Sequence, residues 1–117
     1  MRTTINVIFT ASLFLLIALF AGCKKNNEPK LETVSIKTPT IICGKCAKTI
    51  EKAVYRVEGV KEVSVDLDSK IVKVNFVPVQ TNLEYLESAI TASGYDADDK
   101  KRDPDAYGNL DACCKKD

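Results

Sequence analysis

The sequence predicts an α+β domain, an antiparallel sheet carrying two helices on one face. Three stretches alternate apolar and polar residues with the period of a strand. Two others space their apolar residues as a helix does. The order is strand, helix, strand, strand, helix and a short last strand. With both helices on one side, every apolar face is buried at once. The opposite face of the sheet stays wet, as the clean alternation requires.

With 117 residues the chain suffices for one small domain. Residues 1–22 stand apart from it. Arg2 precedes an uncharged run, residues 5–22, that ends in small residues before Cys23. This is the pattern of a secretory signal peptide. Leu19-Phe20-Ala21-Gly22-Cys23 resembles a bacterial lipobox, which implies cleavage before Cys23 and a diacylglycerol on its thiol. Phe20 departs from that pattern, where Leu is commoner. The alternative is an uncleaved transmembrane anchor, for which the run is just long enough. Either reading predicts a membrane-tethered domain outside the cytoplasm, in the periplasm or cell envelope. Arg2 is the only charge in residues 1–22, so residues 23–117 carry equal numbers of basic and acidic side chains. That balance argues against nucleic acid as a partner.

Residues 23–30, CKKNNEPK, read as a flexible linker. The domain is placed at 31–97. Leu31 to Thr38 is a half-buried strand with Val34 and Ile36 inward, ended by Pro39. Gly44 to Val57 is an amphipathic helix burying Ala47, Ile50, Ala53, Val54 and Val57, and Gly59 stops it. Val60 to Leu67 turns Val63, Val65 and Leu67 inward. Asp68-Ser69 is a two-residue turn candidate, and Lys70 to Val77 follows with Val72, Val74 and Phe76 inward. Thr81-Asn82-Leu83-Glu84 fits a capping box. It opens a helix burying Leu83, Leu86 and Ile90 that Gly94 stops. Tyr95-Asp96-Ala97 is the short last strand, expected beside a central first strand. Residues 98–117 form a charged tail, in which Asp103-Pro104 caps a short helical turn leading to Cys113-Cys114.

The candidate chemistry sits in Cys43-Gly44-Lys45-Cys46, where the first strand gives way to the first helix. A helix N-terminus presents unpaired amides and a partial positive charge, which favour thiolate over thiol. Lys45 adds charge between the cysteines. The chain has no His, and its one Met is Met1. Two bare thiolates suit a soft, low-coordinate ion such as Cu(I) or Hg(II). Zn(II) and Cd(II) rank below, because tetrahedral Zn(II) needs further ligands. The motif alone also allows a plain disulfide or a thiol-disulfide oxidoreductase. The order of strands and helices around it favours metal.

Residues 33–97 resemble the heavy-metal-associated domain family of copper chaperones, metal-ATPase N-terminal modules and the periplasmic mercury-binding protein. The features that carry the resemblance are Cys43-x-x-Cys46 opening the first helix, Val57-Glu58-Gly59-Val60 after it, Val63-Ser64-Val65-Asp66-Leu67 as second strand, and Ala92-Ser93-Gly94-Tyr95 after the second helix. The resemblance implies a βαββαβ ferredoxin-like fold and a metal ion bound by Cys43 and Cys46. It puts Tyr95 behind the site, where the alternative role is ordinary packing. Ile41 stands where the family commonly has Met. The curtailed last strand and the tail are the other departures.

Cys113 and Cys114 leave several readings open: a second pair of metal ligands, a collector or exit for the ion at Cys43 and Cys46, or a disulfide partner. The function expected is binding and ligand-exchange transfer of a soft heavy-metal ion, with no catalysed reaction. Its partner would be a metal transporter or another thiol protein.

Overall fold

The computed structural model describes residues 22 and 27–116. The signal segment and the lipidation site at Cys23 therefore lie, Gly22 apart, outside the described residues. The elements are β1 (Glu32–Lys37), α1 (Gly44–Tyr55), β2 (Val60–Asp66), β3 (Ile71–Phe76), α2 (Leu83–Ala92), α3 (Pro104–Gly108) and a closing 3-10 turn (Ala112–Cys114). Among the described residues no helix is long and apolar enough to cross a membrane.

The sheet is antiparallel, with three strands in the order β1-β3-β2. Ile36 faces Val72 and Val34 faces Val74 across one ladder, and Val63 faces Val74 across the other. Ile36, Val72, Val74 and Phe76 are buried against Ile50 and Val54 of α1 and Leu86 and Ile90 of α2. The wet face is polar: the Thr33 hydroxyl donates to Asn75 Oδ1 at 2.6 Å, and Asn75 Nδ2 donates to Glu62 Oε2 at 2.8 Å.

Several expectations are corrected. Tyr95-Asp96-Ala97 forms no strand; Ala97 makes one isolated bridge to Lys100. Central position in the sheet thus passes from β1 to β3. The chain still returns alongside β1: Asp98 N–H donates to the Lys37 carbonyl and Asp98 Oδ1 accepts from Lys37 N–H, both at 2.8 Å. Asp98, at φ 49°, then turns the chain away. The β2–β3 turn is longer than two residues. Asp66 Oδ1 accepts from the Asp68 and Ser69 amides and Lys70 takes φ 56°, so Leu67 sits in the turn and is exposed. The cap of α2 is Asn82, whose Oδ1 accepts from Tyr85 N–H at 3.2 Å; the Thr81 hydroxyl is buried without a partner. Leu83, expected inward, is exposed, and Glu87 takes a buried place on α2 with its carboxylate 2.9 Å from Lys100 Nζ.

Candidate metal centre

The loop between β1 and α1 sets the first two thiols. Thr38 N–H donates to the Lys70 carbonyl at 2.8 Å, and Ile41 fills the core at 1% exposure. An apolar side chain is all that position requires. Cys43 is the N-cap of α1, extended at φ −151° and ψ 167°, and its carbonyl accepts from Ala47 N–H. The first turn of α1 contains no acidic residue, so the positive end of the helix faces the sulfurs uncompensated. Cys43 is half-buried and Cys46 fully buried, with their Sγ atoms 3.0 Å apart. Donation from the Cys46 side chain and then its backbone amide lowers the Cys43 pKa below the ordinary thiol value of 9.0.

The tail meets this pair. Asp103 Oδ1 caps α3 by accepting from the Asp105 and Ala106 amides, with Pro104 at the first helical position as expected. The tail then crosses the end of α2. Arg102 lies over the Tyr107 ring at 3.5 Å, and Asp103 N–H donates to the Thr91 carbonyl at 3.0 Å. Gly94, at φ 100°, leaves room for Leu110 and the Tyr107 backbone; a Cβ there would stand 3.0 Å from each. The closing turn delivers Cys114 into the core at 3% exposure, its Sγ 3.6 Å from Cys43 Sγ. Cys113 is exposed, its Sγ 3.9 Å from that of Cys114. The four cysteines of the described residues are all free thiols. Burial, reinforced by the neighbouring thiols, pushes the Cys114 pKa up to about 12.

Tyr95 is 1% exposed, and burial raises its pKa. Its hydroxyl faces the Cys46 and Cys114 sulfurs but makes no hydrogen bond of ordinary geometry to either. The site therefore holds a donor awaiting an acceptor. Lys45 has its pKa raised by Asp111 first and, to a lesser degree, by the nearby Cys113 and Cys114 sulfurs. Its ammonium pairs with Asp111 at 2.5 Å, both side chains well exposed, and so pins the closing turn. Sequence reasoning missed that tether. It also missed Thr40, whose Oγ1 accepts from Asp96 N–H at 2.9 Å and ties the cysteine loop to the return of the chain.

Residues 35–96 match the family model described as "Heavy-metal-associated domain". The chain is 32% identical over 80 residues to the mercuric transport protein periplasmic component of Shewanella putrefaciens, covering 68% of this chain and 88% of that protein. It is also 32% identical over 75 residues to the copper-exporting P-type ATPase of Staphylococcus aureus strain Newman. That match takes in 64% of this chain but only 9% of the ATPase. Among solved structures, oxidized MerP from Ralstonia metallidurans CH34 superposes with a TM-score of 0.56 at 31% identity, over 58% of this chain and 94% of that one.

Proposed function

Because the chain belongs to the heavy-metal-associated domain family, we propose that it binds a soft ion, Cu(I) or Hg(II), between Cys43 and Cys46 and passes it on by ligand exchange. The observation that carries this reading is the pair of free sulfurs, 3.0 Å apart at the bare N-terminus of α1. A thiol pKa at Cys43 below the ordinary value favours the thiolate that a metal ion takes as ligand. A half-buried rim leaves an incoming thiol room to join before the first ligand departs. The names of the relatives, a mercuric transport component and a copper exporter, support both the ion class and a metal transporter as recipient. We place the protein outside the cytoplasm, anchored through lipid on Cys23, by the signal pattern of residues 1–22. Its role is that of a carrier, without a catalysed reaction.

Titration of the reduced protein with Cu(I), Hg(II), Zn(II) and Cd(II) tests the ion. One equivalent of Cu(I) or Hg(II) should bind tightly, weaken in either single variant, Cys43→Ser or Cys46→Ser, and disappear in the double variant Cys43→Ser/Cys46→Ser. Absence of tight binding, with efficient turnover of a disulfide substrate, would instead establish the oxidoreductase reading. Incorporation of labelled fatty acid that is lost in Cys23→Ala tests the anchor.

A further inference from the structure

We infer that the tail supplies a third thiolate, from Cys114, to the ion held by Cys43 and Cys46. This inference rests on the metal-binding role proposed for that pair. Cys114 lies beyond the residues matched to the family, so the ligand belongs to this chain's own extension.

Cys43 brings the tail sulfurs to the pair. Cys43 lies 3.0 Å from Cys46 and 3.6 Å from Cys114, and the Cys43, Cys113 and Cys114 sulfurs all fall within 4.8 Å of one another. Three sulfurs in a plane around one ion, each about 2.3 Å from it, are about 4.0 Å apart. Cys43 is the sulfur common to both contacts, so an ion bound at Cys43 has Cys46 on one side and Cys114 on the other.

The placement of Cys114 is built. The Asp103 cap, the Arg102–Tyr107 stack, Leu110 against Gly94 and the Lys45–Asp111 pair all fix the same short segment. Immediately after Cys114, Lys115 Nζ donates to the Gly108 carbonyl at 2.6 Å and Lys116 N–H donates to the Tyr107 hydroxyl at 3.1 Å. These tethers hold one buried thiol over the pair, while Cys113 stays exposed. Behind the sulfurs, the buried Tyr95 hydroxyl faces Cys46 and Cys114 without a hydrogen bond of ordinary geometry, placed to donate to a sulfur that becomes a thiolate.

The consequence is chemical. Two thiolates alone rank Zn(II) and Cd(II) below digonal ions. A third shifts preference toward d10 ions that accept three sulfurs, Hg(II) and Cd(II), and slows their loss to a competing monothiol.

The test uses the full chain, reduced with a phosphine and loaded with one equivalent of Hg(II) or Cd(II). X-ray absorption should count three sulfurs on the ion in the unsubstituted protein, which needs no variant to fold. Cys114→Ser should show two sulfurs and lose the ion to a monothiol at about tenfold lower competitor concentration. Cys113→Ser should keep three. Two sulfurs in the unsubstituted protein, with Cys114→Ser unchanged, would overturn the inference and leave the two-thiol carrier intact. Three sulfurs that survive Cys114→Ser but not Cys113→Ser would overturn the assignment to Cys114. Retention of the ion by Cys43→Ser/Cys46→Ser would overturn the parent reading instead.

Discussion

Gly94→Ala should loosen the tail without touching a sulfur. Gly94 sits at φ 100°, where an L side chain is strained by about 1–2 kcal/mol. The added methyl would stand 3.0 Å from Leu110 Cδ1, 3.0 Å from Tyr107 N and 3.2 Å from the Ala106 carbonyl carbon. Two of those three atoms are backbone, which cannot rotate aside, so overpacking adds about 1–3 kcal/mol. The total is about 2–5 kcal/mol, with two outlets. If the tail stays docked, the whole domain bears the strain and Tm falls by roughly 8 °C or more. If the tail lifts, Tm changes less and Cys114 becomes reachable. Thermal unfolding, paired with timed thiol labelling read by mass spectrometry, separates these outcomes. The native protein should label quickly at Cys43 and Cys113 and slowly at Cys46 and Cys114. An alanine variant with unchanged Tm and slow labelling at Cys114 would refute the packing argument.

Alkylation against pH should find Cys43 reacting with a midpoint below 9.0, while Cys114 resists until about pH 12. The linked stabilities have opposite signs: Cys43, depressed in the fold, stabilises above the unfolded thiol pKa and loses that contribution as pH falls through its folded value. Cys114, raised in the fold, stabilises below pH 9.0, and its contribution is lost as pH climbs from there toward 12. Denaturant melts of the metal-free protein from about pH 9 upward should therefore show falling stability, and a flat profile there would contradict the burial of Cys114. Tyr95→Phe removes a buried hydroxyl without a partner, so metal-free stability should hold or rise by about 1 kcal/mol, while the gain on adding Hg(II) shrinks. Paired melts with and without the ion check both halves.

The core was legible because its signal is local and periodic. Ile50 and Val54 on α1 and Val72, Val74 and Phe76 on β3 read inward from spacing alone, and all are buried. The cysteine motif was legible for the same reason, since its place at a strand-to-helix junction follows from the pattern on either side. Choices between neighbours were not. Thr81 and Asn82 are both competent caps, and the burial of Thr81 against the domain decides for Asn82. Asp66 carried the signal for a longer turn, because its side chain mimics a backbone acceptor, yet alternation drew Leu67 into the strand. The last strand and the position of Cys114 depend on contacts distant in sequence. Asp98 reaches Lys37, Asp111 reaches Lys45, and Leu110 reaches Gly94. None of those pairs has a local signature.

Among the described residues no fourth strand covers the outer margin of β1. Asp98 occupies the Lys37 amide and carbonyl, and with the two-residue repeat of a strand, Ser35 and Thr33 point their backbone groups the same way. Such a margin is a template on which another extended chain can add, the usual starting point for aggregation. This chain blunts it by brevity, by Glu32 and Lys37 at its ends, and by the Asp98 plug. Removing that plug, a change remote from any sulfur, would govern solubility at high concentration more than it would govern metal binding.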